Sequence, residues 1–376
     1  MAEKAREIDE QMGRGKDMSR KKILYVVEAM GGGVFTYIVD LANELVNEFD
    51  MYIAYAVRPQ TPANYKEYFD KRIHLIEVKS FCREIKPAQE LKAIKEVKAI
   101  AEEVKPDIIH LHSSKAGVIG RIVFNGKDIP LFYTPHGYSF LMANYKPAKR
   151  IIFKAIETVM AKRNCTTISC SLGEHQETLK MTKNATYVNN AINVADLKRS
   201  LDKVEKKNHP FTVFTLGRIC YQKNPALFNS IAEKMPDTKF LWIGDGALRD
   251  ELKSKNIEIT GWVNREEALK RSMNADVFVL TSLWEGLPIS LLEAMYMKKL
   301  CVVSNVIGNR DVIHNGENGY VCSDVDEFVK AIEERKEEYV EKAYQDLLEN
   351  YEVKGQAERY AEIYSRSLMG GGIPLS

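Results

Sequence analysis

KILYVV at Lys22–Val27, then Met30-Gly31-Gly32-Gly33, then the amphipathic stretch Val34–Asn47: this run decides the fold. A short apolar run without polar alternation reads as a strand buried on both faces, and the glycines permit a tight turn into a helix. The same rhythm recurs. Strands are expected at Met51–Val57, Ile73–Val78, Asp107–His112, Pro130–Thr134, Thr166–Ser171 and Ala185–Val188, with helices such as Pro87–Val104 and Lys149–Arg163 between them. Strands separated by helices of this length join through right-handed crossovers into a parallel sheet.

Near residues 195–210 the rhythm breaks into the polar stretch KRSLDKVEKKNHP, which reads as a linker. It restarts with strands at Phe211–Leu216, Lys239–Ile243, Ile257–Thr260, Asp276–Leu280, Leu300–Ser304 and Gly319–Val321. One sheet of so many strands would be unusually wide, so the expectation is α/β with two doubly wound, Rossmann-like domains facing each other across a cleft. The expected organisation is an N-terminal extension at 1–20, a first domain at 21–195, a linker at 196–210 and a second domain at 211–345. A C-terminal helix at 346–369 is expected to return to the first domain, before a loose tail at 370–376.

Composition narrows the function classes. Across 376 residues, 45 % are hydrophobic and 28 % charged, which excludes a disordered chain, a fibrous repeat and a small disulfide scaffold. Lys and Arg number 54 against 52 Asp and Glu, so bulk charge gives no argument for a nucleic-acid partner. Cys82, Cys165, Cys170, Cys220, Cys301 and Cys322 are scattered and form no C-x-x-C pair, the pattern of reduced thiols in a cytoplasmic protein. No secretory signal is visible, so the Asn164 and Asn184 sequons carry little weight, and no run is long enough to span a membrane.

Ligands of doubly wound sheets collect beyond the carboxyl ends of the strands, and the candidate residues lie there. After Asp276–Leu280 comes TSLWEGLPISLLEAM. Gly286 allows a turn and Pro288 suits a first helical turn, which leaves Glu285 in the loop and Glu293 on the helix. They lie up to about 12 Å apart along the axis, at 1.5 Å per residue, and could hold two points of an elongated ligand. The Gly286 and Leu287 N–H groups at the helix start can take anions or hydroxyls. A capping acid plus a solvated glutamate is the plainer alternative. Arg218 and Lys223 follow Phe211–Leu216 beside Gly217, two cations suited to a diphosphate or to ordinary surface charge.

Gly31, Gly32 and Gly33 lack the G-x-G-x-x-G spacing and the later acid of a dinucleotide site, but their backbone could approach a phosphate. His110 and His112 alternate onto one strand face, so a metal site and a core histidine are both open readings. No G-x-S-x-G elbow accompanies them. His136, between Pro135 and Gly137, is expected to expose its ring and carbonyl to the cleft.

Taken in order, GR…QK at Gly217–Lys223, IGDG at Ile243–Gly246, TGWV at Thr260–Val263 and EGLPISLLE at Glu285–Glu293 resemble the retaining family-4 glycosyltransferases of GT-B architecture. The resemblance covers nearly the whole chain from Lys21 to about Met369. It implies an acceptor-binding first domain and a second domain that holds the nucleotide sugar. It implies that Glu293 binds the ribose, and that Glu285 with the Gly286 and Leu287 N–H groups holds the transferred sugar. Arg218 and Lys223 would hold the diphosphate, Val263 would lie against the base, and His136 beside the sugar. Gly31, Gly32 and Gly33 would lie near the β-phosphate. The catalytic set so implied is Glu285, His136, Arg218 and Lys223, working without metal or other cofactor on a nucleotide sugar, with UDP favoured.

HLHSSKAG at His110–Gly117 and TPHGYSF at Thr134–Phe140 look like bacterial enzymes of capsule, exopolysaccharide and O-antigen synthesis. That resemblance implies an acceptor glycan or a sugar on polyprenyl diphosphate, with Lys115 and Tyr138 as the candidates for binding it. Asn190–Asn193 and Gly308–Asp311 depart from the family's common Asn-Gly and from its Gly-Gly with Pro-Glu. A binding protein without turnover and a GT-B sugar-nucleotide epimerase are the rival readings. The stretch Tyr138–Arg163 mixes aromatic residues with Lys146, Lys149, Arg150, Lys154, Lys162 and Arg163. It reads as a helix lying on anionic lipid, placing the protein peripherally on the inner face of the cell membrane, or as a core-facing helix with solvated lysines.

Overall fold

The computed structural model describes residues 20–58, 61–82, 86–205 and 207–371. The extension at 1–19 and the tail from 372 lie outside them. Two all-parallel sheets form. The first contains β1 (Lys22–Met30), β2 (Asp50–Val57), β3 (His74–Glu77), β4 (Ile108–His112), β5 (Leu131–Thr134), β6 (Thr166–Ser169) and β7 (Ala185–Tyr187). Its order is β3-β2-β1-β4-β5-β6-β7. The second contains β8 (Thr212–Leu216), β9 (Lys239–Ile243), β10 (Ile257–Ile259), β11 (Val277–Leu280), β12 (Leu300–Ser304) and β13 (Tyr320–Cys322), in the order β10-β9-β8-β11-β12-β13.

Both sheets are buried on both faces. Along β1, Ile23, Tyr25 and Val27 enter one core with the helix Gly32–Leu45, while Leu24 and Val26 enter another with Pro87–Val104. Helix on both faces explains why these strands are continuous apolar runs. Each sheet reverses its winding between its first and fourth strands, at β1/β4 and β8/β11. Those are the points where loops part and leave a crevice.

The linker boundaries differ from the sequence reading. Residue 196 lies inside the helix Val194–Leu201, because Asn193 caps it by accepting the Asp196 N–H at 2.9 Å and Leu197 is fully buried. Residue 346 lies inside the helix Glu337–Asn350, whose Tyr339, Ala343 and Leu347 pack into the cores of the second domain. The chain then crosses back and forms the helix Val353–Leu368, which packs on Gly32–Leu45 of the first domain. There the Tyr37 hydroxyl donates to Tyr360 at 2.6 Å, and the Tyr25 and Tyr364 hydroxyls lie 3.1 Å apart. The two crossings touch: Ile192 N donates to Tyr351 O at 2.9 Å and Val353 N to Ile192 O at 3.0 Å.

Candidate active site

A cleft of about 460 Å3 lies between the domains at the two switch points, lined by Gly32, Gly33, His136, Arg218, Lys223, Glu285, Gly286, Leu287 and Glu293. An adjoining cavity of about 610 Å3 shares Gly32, Arg265 and Glu293 with it and adds Val263 and Asp40. Sequence reasoning thus named residues from five separate loops that meet around one elongated space.

Glu285 is nearly buried, and its carboxylate is saturated. Lys223 Nζ donates to Oε1 at 2.7 Å, Ser282 Oγ to the same oxygen at 2.6 Å, and Gln222 Nε2 to Oε2 at 3.2 Å. A buried pair of this kind gains little net stability, because desolvation offsets attraction, but it fixes geometry where further hydrogen bonds complete it. Three donors leave Glu285 poorly placed as a free nucleophile. Lys223 keeps two of its three N–H bonds for a ligand. Gly217 lets that side chain pass, since a Cβ there would stand 3.3 Å from Lys223 Cε. Arg218 is exposed at the cleft, with no ion pair among the described residues.

Glu293, buried in the first turns of the helix Ile289–Tyr296, accepts from Arg265 Nη1 at 2.7 Å. One oxygen is thereby held and the second remains for a hydroxyl of a ligand. Sequence reasoning missed Arg265 because it opens a helix after the Asn264 cap, where a basic residue carries no motif. It also missed Asp40, on the first-domain helix Gly32–Leu45. Burial pushes the Asp40 carboxyl up to about 7, against the opposing pull of Arg265, while Asp196, Glu293 and Glu44 push it further up. Three carboxylates therefore surround one guanidinium where the domains meet.

The first domain meets the cleft mainly with backbone. Gly32 and Gly33 begin their helix beside open space, with nothing within 4 Å of an added Cβ. Gly31 is the extended residue before them and does not line the cleft. Gly137, at φ +90° where glycine is favoured, faces Gly286, and a Cβ on Gly286 would stand only 3.3 Å from Gly137 N, a tight approach. Gly137 N donates to Glu174 at 2.6 Å; burial pushes that carboxyl up to about 7 despite the N–H bonds from Cys170 and Gly137.

His136 differs from the expectation of an exposed ring. It adopts φ +54°, which is strained for a non-glycine residue, and its imidazole turns inward. Nε2 lies 3.1 Å from His112 Nδ1 and Nδ1 lies 3.5 Å from Cys170 Sγ, with Tyr37 against the ring at 4.6 Å between centroids. Burial pushes its pKa down to about 3. His110 bridges Tyr364 at 2.6 Å and Thr134 at 2.8 Å, a core histidine by its partners.

Two acceptor candidates do not line this cleft. Lys115 pairs with Glu90 at 2.7 Å and is not among the residues that line the cleft. Tyr138 is buried, its hydroxyl 2.8 Å from Thr178 Oγ1 and its ring stacked on Phe140. A cation and an aromatic next to strand ends looked available, but packing with neighbouring helices claimed both. The two departing segments make hydrogen bonds between the domains. Asn190 Nδ2 donates to Leu287 O at 2.9 Å across the domains, and Asp311 accepts the Gly173 N–H at 3.0 Å from the other domain.

Basic side chains, a helix N-terminus and anchored carboxylates along one interdomain groove suit a ligand that carries both phosphate and hydroxyl groups. Residues 31–196 match the model of Glycosyltransferase Family 4, and residues 210–366 that of Glycosyl transferases group 1. The Escherichia coli UDP-Gal:alpha-D-GlcNAc-diphosphoundecaprenol alpha-1,3-galactosyltransferase is 31 % identical over 301 residues, 71 % of this chain and 76 % of that one. The Staphylococcus aureus capsular polysaccharide biosynthesis glycosyltransferase CapM is 24 % identical over 73 % of this chain and 77 % of its own. Sucrose-phosphate synthase of Thermosynechococcus elongatus superposes with a TM-score of 0.77 at 16 % identity, over 94 % of this chain and 100 % of that one. The chain belongs to the family-4, group 1 glycosyltransferases and has the GT-B fold. It is a glycosyltransferase whose relatives build bacterial capsule, O-antigen and lipid-linked glycans.

Proposed function

We propose that this glycosyltransferase moves a sugar from a UDP-sugar to a glycan carried on polyprenyl diphosphate, with retention of configuration and without a metal. The observation that carries the reading is the Lys223–Glu285 pair beside Arg218 and the Gly286 and Leu287 N–H groups, one helix away from Glu293. Glu293 suits the ribose, and the cations with the N–H groups suit the diphosphate. The names of the relatives support the donor and acceptor classes.

In this reading the bond between the anomeric carbon and the phosphate oxygen breaks, and its electron pair stays on the diphosphate. Arg218, Lys223 and the N–H groups stabilise that growing charge, as preorganised donors do in transfer reactions. The acceptor hydroxyl attacks the anomeric carbon from the same face, and its proton passes to the departing phosphate oxygen. Closure of the domains excludes water from the oxocarbenium-like transition state.

Incubation of the purified chain with UDP-sugars and a polyprenyl-diphosphate sugar tests this. The expected product from an α-configured donor is α-linked by proton NMR coupling, and its yield is unchanged by EDTA. A β-linked product would overturn the mechanism, and loss of activity in EDTA would overturn metal independence. UDP release without any glycan product would remove the transfer reading.

A further inference from the structure

The helix Pro147–Met160 has one acidic residue, Glu157, and turns it inward. That carboxylate is buried, accepting from Arg121 Nη2 at 2.8 Å and from the Tyr133 hydroxyl at 3.0 Å. The outward face then holds large apolar side chains that nothing among the described residues covers: Ile151, Ile152, Ile156 and Val159 are 69, 58, 39 and 58 % exposed. Their spacing makes one continuous stripe along a helix surface, where a solvated helix carries polar residues.

The charges beside the stripe have one sign. Lys149 and Lys154 are exposed on the same helix, and Lys162 and Arg163 are exposed just beyond its end. The neighbouring helix brings one carboxylate near, Glu177, which lies 4.0 Å from Lys154 and also pairs with Lys180. A chain of net charge +2 thus concentrates cations and exposed isoleucines on one helix, while the balancing acid is sealed underneath. A soluble acidic protein would match the charge and a second copy the apolar stripe; only a bilayer with anionic headgroups offers both over a flat surface.

We propose that this face docks on the surface of an anionic bilayer, with Ile151, Ile152, Ile156 and Val159 in the boundary between headgroups and acyl chains. No helix among the described residues is long and apolar enough to cross a membrane, so the contact is interfacial. Met142 lines the cleft and Pro147 opens the helix five residues later, so one short segment joins the docked face to the site. The docking stands on its own observations; that it delivers a lipid-linked acceptor rests on the reading under Proposed function.

Co-sedimentation of the full chain with vesicles of phosphatidylcholine alone, or mixed with about a third phosphatidylglycerol, tests the contact. The expected result is binding to the anionic vesicles at least about tenfold stronger than to neutral ones, and weakened by salt. Ile151→Ser with Ile152→Ser, and separately Lys149→Glu with Lys154→Glu, should each lower the partition about tenfold or more, with unchanged melting temperature. Turnover on a short-chain, water-soluble acceptor should stay at the level of the parent. Equal, salt-insensitive recovery with both vesicles would overturn the proposal. Undiminished binding of both variants would overturn it too. A parent dimer in light scattering that the serine variant converts to monomer would assign the face to a second copy instead. If vesicle binding follows the expectation while no glycan forms, the transfer reading fails and the docking stands.

Discussion

In the C-terminal domain the loops after β8 and β11 present Arg218, Lys223 and the Glu285 turn to the cleft, with Lys223 anchored on Glu285 and Arg218 in no ion pair among the described residues. In the N-terminal domain the loops after β1 and β5 present glycine backbone, and the titratable side chains turn inward: His110, His112 and His136 sit among Tyr25, Tyr37, Tyr360 and Tyr364. One winding is used in two ways. The second domain is equipped for a charged ligand, with fixed cations and anions. The first offers a close, smooth wall, which needs small residues and a rigid hydrogen-bonded backing.

The strongest way to break that contrast is to disarm the C-terminal loops. Lys223→Ala should lower kcat by about 100- to 1,000-fold, the usual cost of losing one preorganised donor in transfer chemistry, and Glu285→Gln, which removes the carboxylate that positions Lys223, should come close to it. The donor dissociation constant should move far less. Because the two side chains act as a unit, the double variant should be little worse than the worse single one. Steady-state kinetics beside melting curves check this; a purely thermal effect would place the pair in the scaffold.

Next in size are Glu293→Gln and Arg265→Gln. Each should weaken donor binding by roughly one to two decades, since charge-assisted hydrogen bonds are worth about 1.5–3 kcal/mol, and leave kcat nearly intact. Arg265→Lys should recover part of the loss. Titration calorimetry with the nucleotide reads the effect directly.

In the N-terminal domain the corresponding changes should be structural. Lys115→Ala and Tyr138→Phe should cost about 0.5–2 kcal/mol of stability through lost hydrogen bonds and leave the acceptor KM unchanged. A raised acceptor KM without loss of stability would return these residues to the site.

The smallest effect concerns pH. Burial pushes His136 down to about 3 and lowers His110 and His112 as well. Their contribution to stability is therefore present above about 6.5 and is lost as pH falls below it. Asp40 has the opposite sign. Its carboxyl is raised from 3.8 to about 7, so the folded state holds a proton that the unfolded state releases, and stability is lost as pH rises through that window. Asp40→Asn should gain on the parent chain between pH 4 and 8 by on the order of 1 kcal/mol, solvent at the cavity screening the rest. Urea unfolding at pH 5 and pH 8 measures it.

The architecture was legible because strands buried on both faces leave uninterrupted apolar runs, and all thirteen appear within three residues of where those runs lie. The C-terminal loops were legible for a related reason: a glycine, a charge and a helix start at a strand end make a local pattern. Arg265 and Asp40 were not, because what joins them is the meeting of two domains and no sequence spacing encodes it. His136 was placed in the right turn and lines the cleft, but both its ring nitrogens turn to partners in the interior. Its orientation is decided by Tyr37, His112 and Cys170, which come from three other elements.

The helix Val353–Leu368 gives the order of synthesis a physical meaning. The first domain leaves the ribosome early but closes its core with Ala357, Tyr360, Ala361 and Tyr364, which are made after the whole second sheet. Until then Tyr25, Tyr37 and His110 lack their cover, while the second domain already has nearly all of its own. A domain whose last piece arrives some 160 residues late cannot finish folding as it emerges. The later-made domain can therefore be the first to mature, and a chain cut short before residue 353 should display a greasy, tyrosine-lined groove, a clear mark for quality control.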